Sequence, residues 1–258
     1  MSIEPLFVVS IGRSGTTLLM SLLTQHPRIV SDTAYPFEFR LFAASAMPEK
    51  KSLTDAVFAY PLDGDRGKLL APAYEQGLTP AATQRILGNL AEAQGKTPLF
   101  AAEKVGARLL PVVQAAYPTA RYVLLLRDPR DVIVSARAFD VKRGFRGFQE
   151  RDGDSDEDVV LKYKPLIDAL ADFLKRDRPI AIRYDELICS RDETLQRVFG
   201  GLGLEPCAGI EPPPLGHHRT AASDSASTKR WPTEMSSGLQ QLFLRHMEES
   251  LVTLGFLP

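Results

Sequence analysis

The sequence predicts a single α/β domain of three layers over residues 1–258, with helices on both faces of a mostly parallel central sheet. Short apolar runs rich in β-branched residues alternate with segments of helical periodicity along the chain. The chain has 258 residues, of which 44% are hydrophobic, and this is enough to bury one sizeable core. No internal repeat, low-complexity tract or linker divides it.

The first elements flank a glycine-rich turn. Residues 6–11 form a short apolar run that ends at glycine, which is typical of a buried parallel strand. Residues 18–23 place leucines at helical spacing, and that helix must end before Pro27. Prolines and glycines then interrupt the periodicity over residues 32–80, which predicts an irregular segment of the kind that often covers a binding site.

Strands and helices continue to alternate through the rest of the chain. Asp128 and Pro129 are favourable residues for the start of a helix, and Pro165 is expected to kink or restart the helix that contains it. Residues 140–158 and 209–231 are rich in loop-forming residues. Strands are predicted over residues 99–103, 121–126 and 180–184, and helices over residues 80–94, 109–116, 129–139, 158–176, 191–202 and 239–247.

Composition and charge restrict the possible partners and location. The formal net charge is -1, so no global basic excess indicates nucleic acid, and a site for an anion must be built locally. Cys189 and Cys207 lack metal-type spacing, which favours a reducing compartment. No basic leader and no uncharged apolar stretch of roughly 18 residues is present. We therefore expect a cytoplasmic protein with no transmembrane segment and no nucleic-acid partner; its oligomeric state is left open.

A phosphate-binding loop is predicted between the first strand and the first helix. Free backbone N–H groups and the positive end of the helix dipole converge there. Glycines allow the tight turn, and polar side chains add donors; these residues are Gly12, Arg13, Ser14, Gly15, Thr16 and Thr17. A nucleotide-hydrolysing P-loop would need lysine after its second glycine, where this chain has Thr16. An ordinary glycine turn with a capping serine is the other alternative.

A second anion site is predicted after the strand over residues 121–126. Arg127 closes that strand at the carboxyl edge of the sheet, where open α/β sheets bind ligands. Ser135 lies about two helical turns further along, so both side chains can meet one phosphate. The alternative interpretation is a surface arginine beside a well-capped helix.

Together these two segments resemble the sulfotransferases that use 3′-phosphoadenosine 5′-phosphosulfate (PAPS). In that family a loop like GRSGTTLL wraps the 5′-phosphosulfate, and a segment like LLLRDPRDVIVS binds the 3′-phosphate. The resemblance implies that the 5′ end is held by Arg13, Ser14, Gly15, Thr16 and Thr17 and the 3′-phosphate by Arg127 and Ser135. It also implies a fold related to nucleotide kinases, PAPS as co-substrate, 3′-phosphoadenosine 5′-phosphate (PAP) as product, and no metal.

Two further segments agree with the resemblance in chain order. IRYDEL, followed by GLGL, is similar to the family's strand–helix stretch, and SASTKRW over residues 225–231 is similar to the C-terminal loop that covers the nucleotide. The second match makes Lys229 and Arg230 candidate phosphate contacts. Motifs in a fixed order are more specific than any one of them alone.

Sulfonate transfer places negative charge on the oxygen that leaves with the nucleotide, and a cation must stabilise that charge. The resemblance makes Arg13 the first candidate for this role. Lys104 resembles a second family lysine near the transferred group; the alternative is a solvated surface lysine.

The catalytic base departs from the family patterns. Gly106 occupies the position of the histidine found in cytosolic sulfotransferases, so a histidine mechanism is not expected. His26-Pro27 matches the pair that precedes a glutamate base in tyrosylprotein and heparan sulfotransferases, and this places the chain, as a bacterial-type member, nearer that branch. Glu38 is the favoured base because its aromatic neighbours would raise its pKa, and Asp32 is the alternative. His26 itself is interpreted as structural.

The acceptor is expected to be a small molecule, lipid or carbohydrate, and residues 32–80 and 140–158 are the candidate acceptor loops. His217 and His218 lack metal-ligand spacing, so we expect a surface pair. The aromatic side chains between residues 37 and 60 are expected to belong to the hydrophobic core. Two functional alternatives stay open: a nucleotide kinase or NTPase, and a nucleotide-binding relative without catalysis.

Overall fold

The computed structural model describes residues 2–33, 35, 37, 40–46, 79–214, 220, 221, 223 and 227–258. The strands in these ranges form one sheet in the order β2-β3-β1-β4-β5, and each of their pairings is parallel. The strands are β1 (Glu4–Ser10), β2 (Ile29–Val30), β3 (Phe100–Gly106), β4 (Arg121–Leu126) and β5 (Ile180–Arg183). The predicted α/β fold with a parallel sheet is confirmed.

Helices connect the strands, as parallel pairing requires. A 3₁₀ turn over Ala107–Leu109 follows β3. The helices are α1 (Thr16–Leu23), α2 (Leu41–Ser45), α3 (Pro80–Ala93), α4 (Leu110–Ala116), α5 (Pro129–Arg143), α6 (Asp156–Asp177), α7 (Tyr184–Cys189), α8 (Arg191–Leu202), α9 (Trp231–Glu234) and α10 (Ser237–Thr253).

Strand β1 lies at the centre of the sheet because it is apolar on both faces. Leu6 and Val8 pack into one hydrophobic core cluster, whereas Phe7 and Val9 pack into the other. This alternation is the two-residue period of a strand buried on both sides. The order places β3 and β4 on either side of β1, so the chain reverses its winding direction there. The carboxyl ends of these three strands meet at the edge where such folds bind ligands.

Several local predictions are wrong for identifiable reasons. Helix α6 does not restart at Pro165; that residue is exposed, and the carbonyl that it leaves unbonded belongs to the exposed residue Leu161. Tyr184 starts α7 and does not end a strand. The short elements β2 and α2 were not predicted, because two and five residues show too little periodicity.

His26 is structural, as predicted. Its ring is 2% exposed; Nδ1 accepts from the Arg28 amide at 3.0 Å, and Nε2 lies 3.0 Å from the Glu205 carbonyl oxygen. Both ring nitrogens are therefore satisfied without a ligand. Within the ranges given above, no helix is long and apolar enough to cross a membrane.

Candidate active site

The turn between β1 and α1 lies at the carboxyl edge of the sheet. Gly15 ends it with a φ of 95°, and α1 begins at the next residue. Arg13 also has a positive φ, 68°, which is uncommon for a residue with a side chain. The turn therefore follows the shape of a small concave loop, and the first N–H groups of α1 have no partners within the helix.

Gly15 is expected to be indispensable to this loop. A Cβ at this position would lie 2.4 Å from Cδ2 of Tyr184, and the φ of 95° is strained for any other residue. We predict that Gly15→Ala lowers thermal stability by about 1–3 kcal/mol and weakens nucleotide binding at least tenfold. Calorimetric unfolding and titration measure both effects.

Gly88→Ala is the matched control, because Gly88 lies within α3 and a Cβ there would meet nothing within 4 Å. It is expected to leave binding unchanged and to stabilise the chain by up to about 1 kcal/mol. Equal behaviour of the two variants would contradict the account of the loop.

Arg127 joins β4 to the loop and to residues 227–231, which we call the C-terminal segment. Its Nη1 donates to the Arg13 carbonyl oxygen at 2.7 Å, and its Nη2 donates to the Ser227 carbonyl oxygen at 2.5 Å. The guanidinium carbon lies 4.5 Å from the centre of the Tyr184 ring, and the residue is 8% exposed. Burial lowers the pKa of Arg127. An anion beside this desolvated cation would stabilise it.

Arg13 points towards α5. Its Nε lies 3.4 Å from Oγ of Ser135, and its guanidinium carbon lies 4.3 Å from the centre of the Phe139 ring. Burial, followed by the nearby positive charge of Arg127, lowers the pKa of Arg13 to about 10. The structure therefore brings together the two arginines and the serine that the sequence assigned to two separate motifs.

Two buried polar atoms at this site have no hydrogen-bond partner among the described residues: Oγ of Ser14 and Nε of Arg127. Each unsatisfied buried donor costs roughly 1–3 kcal/mol. Phosphate oxygens accept hydrogen bonds from both kinds of donor. The residues present therefore fit a phosphorylated ligand.

Lys104 lies on β3, one strand away from the loop. The strand runs three residues beyond the predicted end, and Nζ of Lys104 donates to Oγ1 of Thr17 at 3.1 Å. Since Thr17 is in the first turn of α1, the ammonium group is held at the same helix end as the loop.

Asp131 fastens the C-terminal segment to this site. Its carboxylate accepts three backbone N–H groups, from Lys229 at 2.7 Å, Arg230 at 2.7 Å and Trp231 at 2.8 Å. Burial raises the pKa of Asp131, and the hydrogen bond from Trp231 opposes this shift. The anchored segment carries Ser227, whose Oγ lies 2.8 Å from the Tyr184 hydroxyl.

Asp131→Asn is expected to loosen this anchor, because an amide cannot accept all three hydrogen bonds and its NH₂ group would face a donor. We predict a loss of about 1–3 kcal/mol in the free energy of unfolding and weaker nucleotide binding. Hydrogen exchange of the amides at residues 229–231 measures the release directly. Unchanged protection of these amides would refute the anchoring role.

The predicted contacts Lys229 and Arg230 lie in this segment. Arg230 donates from Nε and Nη2 to the Glu234 carboxylate, each at 2.7 Å, and from Nη1 to Oγ1 of Thr220 at 3.0 Å. Oγ of Ser135 lies 3.4 Å from the same Thr220 hydroxyl. Arg230 thus approaches the predicted 3′-phosphate site through Thr220, while Lys229 contributes its backbone N–H to Asp131.

The candidate bases are placed differently. Glu38, like His217 and His218, lies outside the described residues. Asp32 is 8% exposed and is not among the cavity-lining residues described below. The fully buried Glu103 accepts from the amides of Phe42 and Ala43 at 2.8 and 2.9 Å, which ties α2 to β3.

These elements surround one cavity of about 1140 Å³. Within the described part of the chain its lining contains no aspartate or glutamate, although the chain as a whole is slightly acidic. In the same part of the chain, no group of histidine, cysteine and acidic residues could hold a metal ion. The basic residues that line the cavity are Arg13, Arg40, Lys104, Arg108, Arg127 and Arg143.

Sequence reasoning missed several residues of this site. Tyr184 was assigned to a buried strand end, but its ring packs on both Gly15 and Arg127. Asp131 stands in the first turn of a helix, where an acidic residue is favourable in any case, and no local pattern could show that it accepts amides about a hundred residues away. Arg40 and Arg108 gave no motif signal, because isolated arginines usually indicate solvated surface.

Comparison with known proteins points to one family. The family model described as Sulfotransferase family matches residues 5–207. Nodulation protein NoeE of Sinorhizobium fredii is 27% identical over 264 residues, which cover 89% of this chain and 60% of that protein. "Putative protein-tyrosine sulfotransferase" of Caenorhabditis briggsae is 25% identical, over 78% of this chain and 65% of that protein. The chain spans less than two thirds of the length of either relative.

Solved structures share the fold. The sulfotransferase domain from the curacin biosynthetic pathway superposes with a TM-score of 0.58 at 16% identity, over 95% of this chain and 97% of that one. The sulfotransferase from Alicyclobacillus acidocaldarius gives a TM-score of 0.56 at 17% identity, over 99% and 96%. These likenesses extend over nearly the whole of each chain.

Proposed function

The chain belongs to the sulfotransferase family, and we propose that it transfers a sulfonate group from PAPS to a hydroxyl or amine of an acceptor. The observation that supports the proposal is the pair of candidate anion sites in one cavity, whose lining has no acidic residue in the described part of the chain. One is the β1–α1 loop with Lys104; the other is Arg127 and Ser135. Two separated sites fit a nucleotide with phosphates at both ends of its ribose better than the single phosphate chain of ATP.

The 5′ and 3′ ends of PAPS would bind different groups of this chain. The loop N–H groups and the hydroxyls of Ser14, Thr16 and Thr17 would donate hydrogen bonds to the 5′-phosphosulfate at the start of α1. Arg127 and Ser135 would hold the 3′-phosphate, with Thr220 nearby. Arg13 reaches Ser135 from the loop and thereby connects the two sites.

The reaction replaces the sulfur–oxygen bond of PAPS with a sulfur–oxygen or sulfur–nitrogen bond to the acceptor. The acceptor oxygen or nitrogen forms a bond to sulfur while the bond between sulfur and the 5′-phosphate oxygen breaks, and PAP leaves with that electron pair. The acceptor gives up its proton. Lys104 and Arg13 are the cations that we assign to the negative charge on the departing oxygen. Desolvation strengthens this interaction relative to water.

We assign proton removal to Glu38, with Asp32 as the alternative. Glu103 is not available for this role, because its carboxylate accepts the amides that start α2. Gly106 follows Lys104 by two residues and cannot act as a base. We further propose a cytoplasmic location; the exposed Cys189 and the half-buried Cys207 are both free thiols, which supports a reducing compartment.

Transfer is tested with PAPS that carries ³⁵S in its sulfonate group and a mixture of small phenols, sugars and amino alcohols. The proposal predicts labelled organic product and stoichiometric PAP. Under the same conditions ATP with Mg²⁺ is expected to yield no phosphorylated acceptor, and the reverse result would favour a kinase. PAP binding without any product would instead favour a nucleotide-binding relative that lacks catalysis.

A further inference from the structure

We propose that the acceptor carries a negative charge of its own, a carboxylate, sulfate or phosphate group, which Arg108 and Arg40 recognise beside the point of sulfonate transfer. This inference rests on the proposed sulfotransfer and extends it to the acceptor class. It derives from how the basic groups of the cavity are divided between its two sides.

The donor groups lie centrally and on the β4 side of the sheet. Arg127 follows β4 and Ser135 lies on α5, whereas the loop follows the central strand β1. Arg108 follows β3, on the opposite side of β1. Neighbouring strands are about 4.8 Å apart, so the two sides of the cavity are separated by roughly two strand spacings. Arg108 follows Lys104 by four residues, in the turn that leaves β3, and its side chain extends to Gln149 in the segment after α5.

The cavity is large for one small-molecule ligand. Its volume of about 1140 Å³ exceeds the range of roughly 300–1,000 Å³ that is usual for one small-molecule site. The end of β3 and the turn after it contribute the apolar lining residues Val105, Ala107 and Leu109. An acceptor with an apolar or ring-shaped body and an anionic group matches this lining.

The positive charge of Arg108 is not compensated, because its hydrogen-bond partner is a neutral amide. Nη2 of Arg108 donates to the side-chain oxygen of Gln149 at 2.7 Å, and Arg108 forms no ion pair with any described residue. Nearby arginines differ: Arg137 pairs with Glu150 at 2.8 Å, and Arg143 pairs with Asp140 at 2.6 Å. An amide oxygen orients the guanidinium without cancelling its charge, and that leaves a positioned cation at the cavity wall.

Arg40 is positioned by the hydrogen bonds that fix the start of α2. It immediately precedes α2, and the first turn of α2 is fixed to β3 because Glu103 accepts the amides of Phe42 and Ala43. Since Lys104 follows Glu103 on β3, this anchor sets the position of Arg40 relative to the proposed transfer point. Arg40 and Arg108 thus reach the same cavity from different elements, and a guanidinium group is suited to bidentate binding of a carboxylate or phosphate.

The test measures binding of matched ligands to the PAP-loaded protein. The pairs are 4-hydroxyphenylacetate against 4-methylphenol, and N-acetylglucosamine 6-sulfate against N-acetylglucosamine. We expect the anionic member of at least one pair to bind about tenfold more tightly, and this preference to shrink as salt is raised. Ligand-observed NMR titration supplies the dissociation constants.

Arg108→Gln is expected to remove most of the preference, and Arg108→Lys to restore part of it, while PAP affinity stays unchanged. Arg121→Gln is the matched control. Arg121 is also exposed and donates to a single neutral oxygen, that of Gly201, but it starts β4 at the opposite edge of the sheet.

Three results would overturn the inference: equal binding within every pair, no binding by any anionic member, or a preference that survives Arg108→Gln. Failure of the wild-type chain to bind PAP is measured first and separately. That failure would remove the sulfotransfer proposal itself, and the acceptor inference with it.

Discussion

Arg127→Gln is expected to weaken PAP binding on the order of 100-fold, while binding of AMP, which lacks the 3′-phosphate, changes far less. The proposed 3′-phosphate site would lose charge-assisted hydrogen bonds from a buried guanidinium, each worth roughly 1.5–3 kcal/mol. The substitution also removes the hydrogen bonds to the carbonyl oxygens of Arg13 and Ser227, so a lower melting temperature accompanies it. Isothermal titration with both nucleotides gives the two affinities.

The ratio of PAP to AMP affinity separates recognition from folding, because a purely structural defect would weaken both nucleotides alike. Arg121→Gln is again the control: it removes an arginine from the other end of the same strand and should leave the ratio unchanged. Ser135→Ala should lower the ratio in the same direction by a smaller factor. If Arg127→Gln left the ratio of PAP to AMP affinity unchanged, this arginine would not bind the 3′-phosphate.

Lys104→Gln is expected to slow sulfonate transfer by on the order of 10²–10³-fold, the effect of removing one preorganised group that stabilises transition-state charge. Its ammonium group is held at the start of α1 by Thr17, and it lies where we place the departing oxygen. PAP affinity should change by only a few-fold. Single-turnover measurement with labelled PAPS, at saturating donor, isolates the transfer rate from binding.

Lys104→Arg retains the positive charge but places it on a larger, planar group, so it should transfer sulfonate faster than Lys104→Gln and more slowly than the wild type. Thr17→Val removes the observed hydrogen bond but leaves the ammonium group, so its effect should be much smaller than that of Lys104→Gln. If Thr17→Val and Lys104→Gln slowed transfer equally, Lys104 would act through the loop and not on the reacting group.

The parts of the site that follow local rules were predictable from the sequence. A strand, a glycine turn and a helix start are adjacent in the chain, so the loop around Gly15 and the placement of Arg127 after β4 could be read directly. The direction of the Arg13 side chain could not. It depends on a positive φ and on packing against Phe139, neither of which has a pattern in the sequence.

Contacts between distant segments escaped prediction for a different reason. The carboxylate of Asp131 satisfies amides of the C-terminal segment, and Tyr184 closes over the loop, because the fold brings together segments that are far apart in the chain. The short elements β2, just before residues 32–80, and α2, within them, went unrecognised because two and five residues show too little periodicity. The preferred base, Glu38, falls in the same segment, and its role remains a prediction.

Titration of the wild-type chain with PAP, AMP and ATP–Mg²⁺ tests whether the cavity binds a nucleotide that carries phosphates at both its 3′ and 5′ ends. We expect PAP to bind at least about 100-fold more tightly than AMP, because only PAP has a 3′-phosphate that can accept hydrogen bonds from Arg127 and Ser135. We also expect ATP–Mg²⁺ to compete poorly. Equal affinity for PAP and AMP, or a preference for ATP–Mg²⁺, would contradict this expectation.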